Sequence, residues 1–342
     1  MQSVNLQSSV IANRVKNKTI AVVGLGPMGR NHARLLSGNN RVIGCDILQK
    51  NHIETVKCYE DLSKLLSENE LDAAVVATPG PSHFDLAKTL IENNIPSLII
   101  EKPLSTSVEK CESLKTLAEK HGTTVLVNHS RRWDQNFINL AKFVKEKSLG
   151  SLVHIHTTFG GGRLGCMGTH IFDLWRMLTN SNTRKIFGTL DERYQGDHKG
   201  RDVFDPGGYC IAEMDDGTRC TLDICEDNGT PVYHVLTFSL GKILVDEQSG
   251  SWTVIRRKQE FINERLGSYD CPMEAVTFPT VNVSFEECLS GMYADLESGM
   301  LSCSLDDGKK SVEMCLAVHH SNSENSPVII PLDNTTLDVK IT

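Results

Sequence analysis

The sequence lacks the long apolar run of a membrane protein. None of its apolar stretches approaches the roughly 18 residues that a membrane-spanning helix needs, so no membrane partner is expected. Its polar beginning also lacks the apolar centre of a signal peptide. We interpret residues 1–17 as a flexible leader and expect a cytoplasmic protein.

Cysteine pairs and an excess of positive charge are also missing. The 11 cysteines are odd in number and form no C-x-x-C pair. This favours reduced thiols over a disulfide framework or a zinc site, and we expect no metal. The formal net charge is −8, without a long basic run, which argues against a nucleic-acid partner. Ordinary hydrophobic (39%) and charged (23%) fractions indicate a globular chain of one large or two ordinary domains.

A glycine-rich turn, G-x-G-x-x-G, follows the first apolar, β-branched run. In this pattern the first glycine permits a tight turn, the second lets the backbone approach a pyrophosphate, and the third lets the helix pack on the strand. The N-terminus of the helix then offers N–H groups and a partial positive charge to the phosphates. The residues of the turn predicted to bind a dinucleotide are Gly24, Gly26, Pro27, Met28 and Gly29.

Asp46 closes the next apolar run, 22 residues after Gly24. An acid about 20 residues after the turn is typical of one that binds a ribose hydroxyl. Its carboxylate would repel a 2′-phosphate, and no arginine follows it directly, so we expect NAD rather than NADP. A turn without a ligand is the alternative interpretation, which the flanking strand and helix patterns disfavour.

Strand and helix patterns alternate over the first third of the chain. The predicted strands are 19–23, 42–46, 73–78, 97–101 and 123–127, and the predicted helices are 28–37, 61–67, 83–93 and 107–121. Thr106 and Glu109 form a candidate capping box for the last helix. The alternation predicts an α/β, doubly wound parallel Rossmann sheet over 18–128, with ligands at the carboxyl ends of its strands.

The pattern changes after residue 134. A helix is predicted at 134–147, ended by Gly150, with further helices at about 168–178, 284–298 and 307–321. The predicted strands are 152–159, 208–214, 218–225, 232–239 and 242–245. Residues 129–342 are therefore interpreted as an α+β domain with a large, mostly antiparallel open sheet.

The chain resembles the Gfo/Idh/MocA family of NAD(P)-dependent sugar and polyol oxidoreductases over nearly all of 18–332. Besides the glycine turn, the matching motifs are Ala77-Thr78-Pro79 with His83, Glu101-Lys102-Pro103, 131–134, 160–162, 168–173 and the ending 321–332. The resemblance implies hydride transfer between nicotinamide and a secondary hydroxyl or ketone of a sugar, polyol or nucleotide-sugar. It also implies that 129–342 binds substrate and forms a homodimer or homotetramer through its sheet.

Lys102 is the expected proton-handling residue, because partial desolvation beside a cationic nicotinamide lowers a lysine pKa toward working pH. A cis bond to Pro103 would aim it into the cleft. The resemblance makes His170 its assistant, with Asp173 either holding the ring or purely structural. Cys166 stands where many family members have an Asp, and a neutral thiol cannot act as that carboxylate.

The remaining residues expected at the site come from the same motifs. Those expected to bind cofactor, besides the turn and Asp46, are Thr78, Pro79, His83, Glu101, Lys102, Asn128 and Arg132. Those expected to bind substrate are Lys102, His156, Cys166 and His170. The alternative interpretation is that Lys102 and Arg132 are solvated loop residues and that the histidines are packed in the structure, since both cases are common in proteins.

Two other functions stay open. One is an NAD-using glycosidase that oxidises its sugar transiently, and the other is a non-catalytic, regulatory NAD- or sugar-binding protein. Release of an aglycone without net NADH change would indicate the glycosidase. Substrate-dependent nicotinamide oxidation would exclude the regulator.

Overall fold

The computed structural model describes residues 17–197, 200–263, 272–333 and 336–342. The leader predicted at 1–17 lies outside the described residues, apart from Asn17. The chain divides into two compact units, each described by itself below. The first contains the chain up to Asp134, Ser284–Val312 and the C-terminal end, and the second contains Gln135–Val283 and the segment from Glu313 to 334.

The first unit is built on a parallel six-stranded sheet. Its elements up to residue 128 are β1 Thr19–Val23, α1 Pro27–Leu36, β2 Arg41–Cys45, β3 Lys57–Tyr59, α2 Leu62–Glu68, β4 Ala73–Val76, α3 His83–Glu92, β5 Ser97–Glu101, α4 Val108–His121 and β6 Thr124–Asn128. The strand order is β3-β2-β1-β4-β5-β6, and every neighbouring pair is parallel. The predicted doubly wound sheet is confirmed. Its order reverses between β1 and β4, where such sheets bind ligands.

The second unit is built on a nine-stranded, mostly antiparallel sheet. Its elements up to residue 277 are α5 Gln135–Glu146, β7 Leu152–Thr158, α6 Thr169–Thr179, β8 Thr183–Leu190, β9 Gly208–Met214, β10 Arg219–Asp223, β11 Tyr233–Phe238, β12 Gly241–Asp246, β13 Trp252–Arg257 and β14 Met273–Thr277. Three later elements complete the chain: α7 Phe285–Ser298, α8 Leu305–Glu324 and β15 Val328–Ile329. The order is β14-β13-β12-β11-β7-β10-β9-β8-β15, with β7 and β10 parallel. The predicted sheet type is confirmed.

Helix α7 packs with the first unit rather than with the sheet that precedes it. Its Leu289, Met292 and Tyr293 join the core that contains Ile20 and Val22 of β1. A capping box at Ser284, reciprocated by the N3 glutamate, fixes where the helix begins. The return of this segment is why a single sequence boundary at 128 does not describe the two units.

Five strands were not predicted. β3 has only three residues, too few to show a period. β8 has two adjacent cations, Arg184 and Lys185, near its start and contains Gly188, and lysine and glycine are depleted in strands. The glycine fits because a Cβ there would lie 2.7 Å from the Cβ of Cys210. The other three are β13, β14 and the two-residue β15.

Two predicted helix ends were wrong. The N-cap of α4 is Ser107 instead of Thr106, because the Ser107 hydroxyl accepts from the Lys110 amide at 3.2 Å. Helix α5 ends at Glu146, and Lys147, with a φ of 55°, leaves the helical path before Gly150 is reached. Within the described ranges, none of the helices combines the length and apolar character that crossing a membrane requires.

Candidate active site

The glycine turn connects β1 to α1 and shows why each glycine is needed. Gly24 has a φ of 92°, and a Cβ there would lie 2.7 Å from the carbonyl of Ala77. A Cβ at Gly29 would lie 1.8 Å from the carbonyl oxygen of Gly24. At Gly26, by contrast, a Cβ meets no atom within 4 Å. The first and third glycines therefore hold the turn itself, whereas the second leaves open space beside the backbone.

Asp46 follows β2 and is bonded to the turn. Its Oδ2 accepts from the amide of Leu25 at 2.8 Å, and its Oδ1 accepts from the amide of Leu48 at 2.8 Å. Asn51 donates its side-chain amide to Oδ2 at 3.1 Å, and Arg30 donates Nη2 to the Asn51 carbonyl at 2.8 Å. A carboxylate and a nearby guanidinium thus lie where a ribose hydroxyl or its phosphate would be recognised.

Glu101, the last residue of β5, is the centre of a buried hydrogen-bonded network. Its Oε1 accepts from His32 Nε2 at 2.9 Å and from the Asn128 amide at 2.7 Å, and His32 Nδ1 lies 2.6 Å from the Tyr293 hydroxyl. We call these four residues the Glu101 network. The His32 tautomer that accepts from the Tyr293 hydroxyl at Nδ1 and donates to Glu101 from Nε2 gives each of these three side chains a hydrogen-bond partner.

The Glu101 network keeps its carboxylate ionised in spite of burial. Burial by itself raises a carboxyl pKa, but the hydrogen bonds from His32 and Asn128, together with the charge of Lys102, hold the pKa of Glu101 below its ordinary value. Burial raises the pKa of Tyr293, so its hydroxyl stays protonated. The network therefore places a fixed negative charge directly before Lys102.

Lys102 is partly exposed and is joined to Pro103 by a cis peptide bond. The loop that carries it is bonded to the loop after β4 through His83, which is fully buried. The two ring nitrogens of His83 lie 2.7 Å from the carbonyl oxygens of Pro103 and Thr78. Burial lowers the pKa of His83. The His83 ring thus braces, that is, connects through its two nitrogens, the loops after β4 and β5 at the carboxyl edge of the sheet.

Three further predicted residues lie at the same edge. The Thr78 Cγ2 would lie 2.8 Å from a Cβ on Gly24, so this loop packs directly against the glycine turn. Asn128 is buried, and its Oδ1 has no hydrogen-bond partner among the described residues. Arg132 donates Nη1 to the Ser302 carbonyl at 2.9 Å and Nη2 to Asp307 at 3.1 Å, contacts within the first unit. Cofactor contact by Arg132 stays a prediction.

In the second unit, a π-helical turn, Leu164–Gly168, leads into α6. Cys166 lies in this turn, and His170 follows it four positions later on α6. Both residues are partly exposed. The turn is held by Asp205, which is fully buried and accepts from the amides of Gly165 at 2.6 Å and Cys166 at 3.0 Å. A carboxylate thus lies under Cys166, although the side chain at 166 itself is a thiol.

His156 lies on β7 next to two other polar side chains. Its Nδ1 lies 2.8 Å from the Thr221 hydroxyl, to which His154 Nε2 also approaches at 3.1 Å. Burial lowers the pKa of both rings. These contacts are those of a sheet surface, and substrate contact by His156 stays a prediction. Among the described residues, no group of three or more His, Cys, Asp or Glu is arranged to hold a metal ion.

Comparison with known proteins finds a family that matches the segment containing the glycine turn. Residues 18–129 match the GFO_IDH_MocA family model, an oxidoreductase family with an NAD-binding Rossmann fold. Residues 18–129 are thus similar to the Gfo/Idh/MocA oxidoreductases. The glycine turn, Asp46 and Lys102 all lie in this Gfo/Idh/MocA segment.

Relatives are similar to this chain in part of their sequence, and solved structures share its fold. The chain is 28% identical over 108 residues to the scyllo-inositol 2-dehydrogenase (NADP(+)) IolW of Bacillus subtilis, covering 32% of this chain and 29% of that protein. It is 26% identical over 150 residues to the inositol 2-dehydrogenase of Arthrobacter, covering 40% and 44%. The matches thus span less than half of these relatives' lengths. An NAD-binding protein of Listeria innocua has the same fold, with a TM-score of 0.77 at 18% identity, over 92% of this chain and 100% of that chain.

Sequence reasoning missed several residues around the Gfo/Idh/MocA motifs. Arg30 and His32 follow the glycine turn on α1, and their position on a helix gave no sign of their partners. Tyr293 comes from a segment far along the chain. Asp205 lies in an irregular stretch without a motif, so no pattern related it to Cys166.

Proposed function

We propose that the protein is an NAD-dependent oxidoreductase that transfers hydride between nicotinamide and a secondary hydroxyl or ketone of a sugar, polyol or nucleotide-sugar. The observation that carries this proposal is the position of Lys102. It follows β5, while the glycine turn follows β1 and the Thr78 loop follows β4, and these are neighbouring strands of one parallel sheet. The names of the inositol dehydrogenase relatives support the substrate class.

The residues of the first unit fit a dinucleotide. The open space at Gly26 accommodates a pyrophosphate, Asp46 suits a ribose diol, and the buried Oδ1 of Asn128 offers an acceptor beside Glu101. We propose that Thr78, Pro79 and His83 complete this site, with His83 acting through the loops that it braces. The cofactor, when bound, supplies the hydride acceptor or donor.

Lys102 then has the task of moving the proton. In oxidation its neutral amine accepts the substrate hydroxyl proton, and in reduction its ammonium returns it. We propose that His170 assists Lys102 and contacts substrate together with Cys166 and His156.

Two kinds of measurement test this function. A panel of sugars, polyols and nucleotide-sugars is followed at the NADH absorbance band, and turnover is compared with aglycone release to separate an oxidoreductase from an NAD-using glycosidase. With a true substrate, Lys102→Met should lower kcat by at least about 100-fold, the usual size of general acid–base catalysis. Lys88→Met, which changes an exposed lysine on α3, is the matched control. Full turnover by Lys102→Met would refute the assignment.

We further propose a homodimer or homotetramer formed through the nine-stranded sheet, and a cytoplasmic location. Tyr209 and Ile211 lie on one face of β9 and are 51% and 48% exposed. A monomer usually exposes few large apolar side chains side by side, so this face suits contact with a second copy of the chain. The ten cysteines among the described residues are all free, which suits a reducing compartment. Light scattering of the wild type and of a Tyr209→Lys, Ile211→Lys variant tests the assembly.

A further inference from the structure

Two arginines beside Cys166 share a single carboxylate. Arg163 donates Nη1 to Asp197 Oδ1 at 3.0 Å, and Arg201 donates Nε to Asp197 Oδ2 at 3.0 Å and Nη2 to Oδ1. Arg163 also directs Nη2 at the Cys166 sulfur, 3.6 Å away. We call Arg163, Asp197 and Arg201 the arginine pair site.

Two guanidinium groups of the arginine pair site share the one carboxylate of Asp197, which is only 1% exposed. The other buried carboxylate of this region, Asp205, accepts from the amides of Gly165 and Cys166, and its charge also acts on Arg201. The hydrogen-bonding capacity of the guanidinium groups, rather than an excess of charge, is therefore what the site offers to a ligand.

The guanidinium groups remain accessible and retain donors. The side chains of Arg163 and Arg201 are 24% and 26% exposed, so each presents an edge to solvent. Towards the residues that the structure describes, Arg201 uses only Nε and Nη2 of its side chain. Arginine forks held in place by a carboxylate are well suited to bind planar or tetrahedral anions.

The location connects this site to the substrate residues. Arg163 begins the turn that presents Cys166 and, four residues later, His170. We propose that Arg163 and Arg201 bind an anionic group of the substrate, a carboxylate or a phosphate. This proposal rests on the proposed oxidoreductase function. The substrate is then an acidic sugar derivative, and the arginine pair selects it over the neutral sugar.

The test measures binding, so that it does not depend on turnover. Equilibrium binding of D-glucuronate, D-glucose 6-phosphate and D-glucose is measured by calorimetry on the full-length protein saturated with NADH. We expect at least one charged sugar to bind on the order of 10- to 100-fold more tightly than glucose, the size of a charge-assisted hydrogen bond. Which of the two binds distinguishes a carboxylate from a phosphate.

Variants assign the preference to the arginines. Arg163→Gln and Arg201→Gln should each weaken the charged sugar by about tenfold or more and leave glucose unchanged. Arg184→Gln, which removes another carboxylate-paired arginine of the same unit on β8, should change neither. Circular dichroism shows whether the glutamine variants fold. If one does not, Arg163→Lys and Arg201→Lys keep the positive charge but lose the bidentate guanidinium group. They should weaken binding of the charged sugar by a smaller factor.

Each outcome decides the proposal. Equal binding of charged and neutral sugars, or a preference that survives the loss of either arginine, overturns it. Preferred binding of a charged sugar that is lost in the variants, but without any nicotinamide turnover, supports the arginine pair site and refutes the proposed oxidoreductase function instead.

Discussion

Nε2 of His32 lies 2.9 Å from Oε1 of Glu101, so the helix that begins at the glycine turn is bonded to the strand that ends directly before Lys102. Both side chains are buried, at 0% and 5% exposure. The position of the Lys102 loop thus depends on the helix that follows the glycine turn. Under the proposed function, this contact connects the cofactor-binding turn with the residue that moves the proton, and neither motif indicates it.

Loss of the His32 contact should destabilise the protein strongly. His32→Phe leaves the buried Glu101 carboxylate with Asn128 as its remaining partner in the network, and we expect a loss of about 3 kcal/mol in the free energy of unfolding. Tyr293→Phe removes only the outer hydroxyl and should cost about 1 kcal/mol. Urea denaturation followed by circular dichroism measures both. Equal losses for the two variants would contradict the central place of the His32–Glu101 bond.

The second and third glycines of the turn should behave differently. Gly26→Ala adds a methyl group to open space, so the free energy of unfolding should change by less than about 1 kcal/mol while NADH binding weakens by at least about tenfold. Gly29→Ala places a methyl group 1.8 Å from a carbonyl oxygen and should destabilise the fold itself. Fluorescence titration with NADH, beside thermal unfolding, separates the two effects. Undiminished NADH affinity in Gly26→Ala would argue against the pyrophosphate position.

Asp46 and Arg30 should set the choice between NAD and NADP in opposite directions. Asp46→Asn removes the charge that repels a 2′-phosphate, and the ratio of NADPH to NADH affinity should rise about tenfold. Arg30→Gln should lower the same ratio, because it removes the nearby cation. A clear NADPH preference in the wild-type protein would overturn the predicted choice of NAD.

His319 should make the second unit sensitive to acid. Burial lowers its pKa from 6.5 to about 4, and its Nε2 makes no hydrogen bond to a described residue. The neutral ring is therefore favoured in the folded state. Its contribution is fully present above pH 6.5 and is lost as the pH falls towards 4, by about 3 kcal/mol in total. His319→Leu should flatten the stability profile between pH 6.5 and 4, whereas the neighbouring His320→Asn should leave its slope unchanged.

The sequence predicted what depends on local pattern. The glycine turn, the parallel strands and most helices follow from apolar periodicity and from residues with one mechanical use, and their bounds agree within a few residues. The cap of α4 was misplaced because Thr106 and Ser107 are adjacent hydroxyl residues, and only the backbone path decides which one reaches Lys110. Short or charged strands such as β3 and β8 are defined by their neighbours and not by their own residues.

The parts of the site that escaped prediction are contacts between distant segments. Tyr293 reaches His32, and Asp205 reaches the Cys166 amide, because the chain returns to regions that it left much earlier. Arg163 lies in no motif that the sequence offered, and its partner Asp197 lies in an irregular stretch. Such partners are fixed by tertiary packing, for which one sequence contains no direct signal.

The packing of α7 against β1 has a consequence for how the protein is made. A chain that emerges from the ribosome completes all six strands of the parallel sheet long before residues 285–298 have been translated. Until then the surface that Leu289, Met292 and Tyr293 will cover stays open, and the buried histidine of the first helix lacks its phenol partner. A nascent chain should therefore gain tight nucleotide affinity late in synthesis, and a fragment that stops at residue 134 should be prone to aggregate.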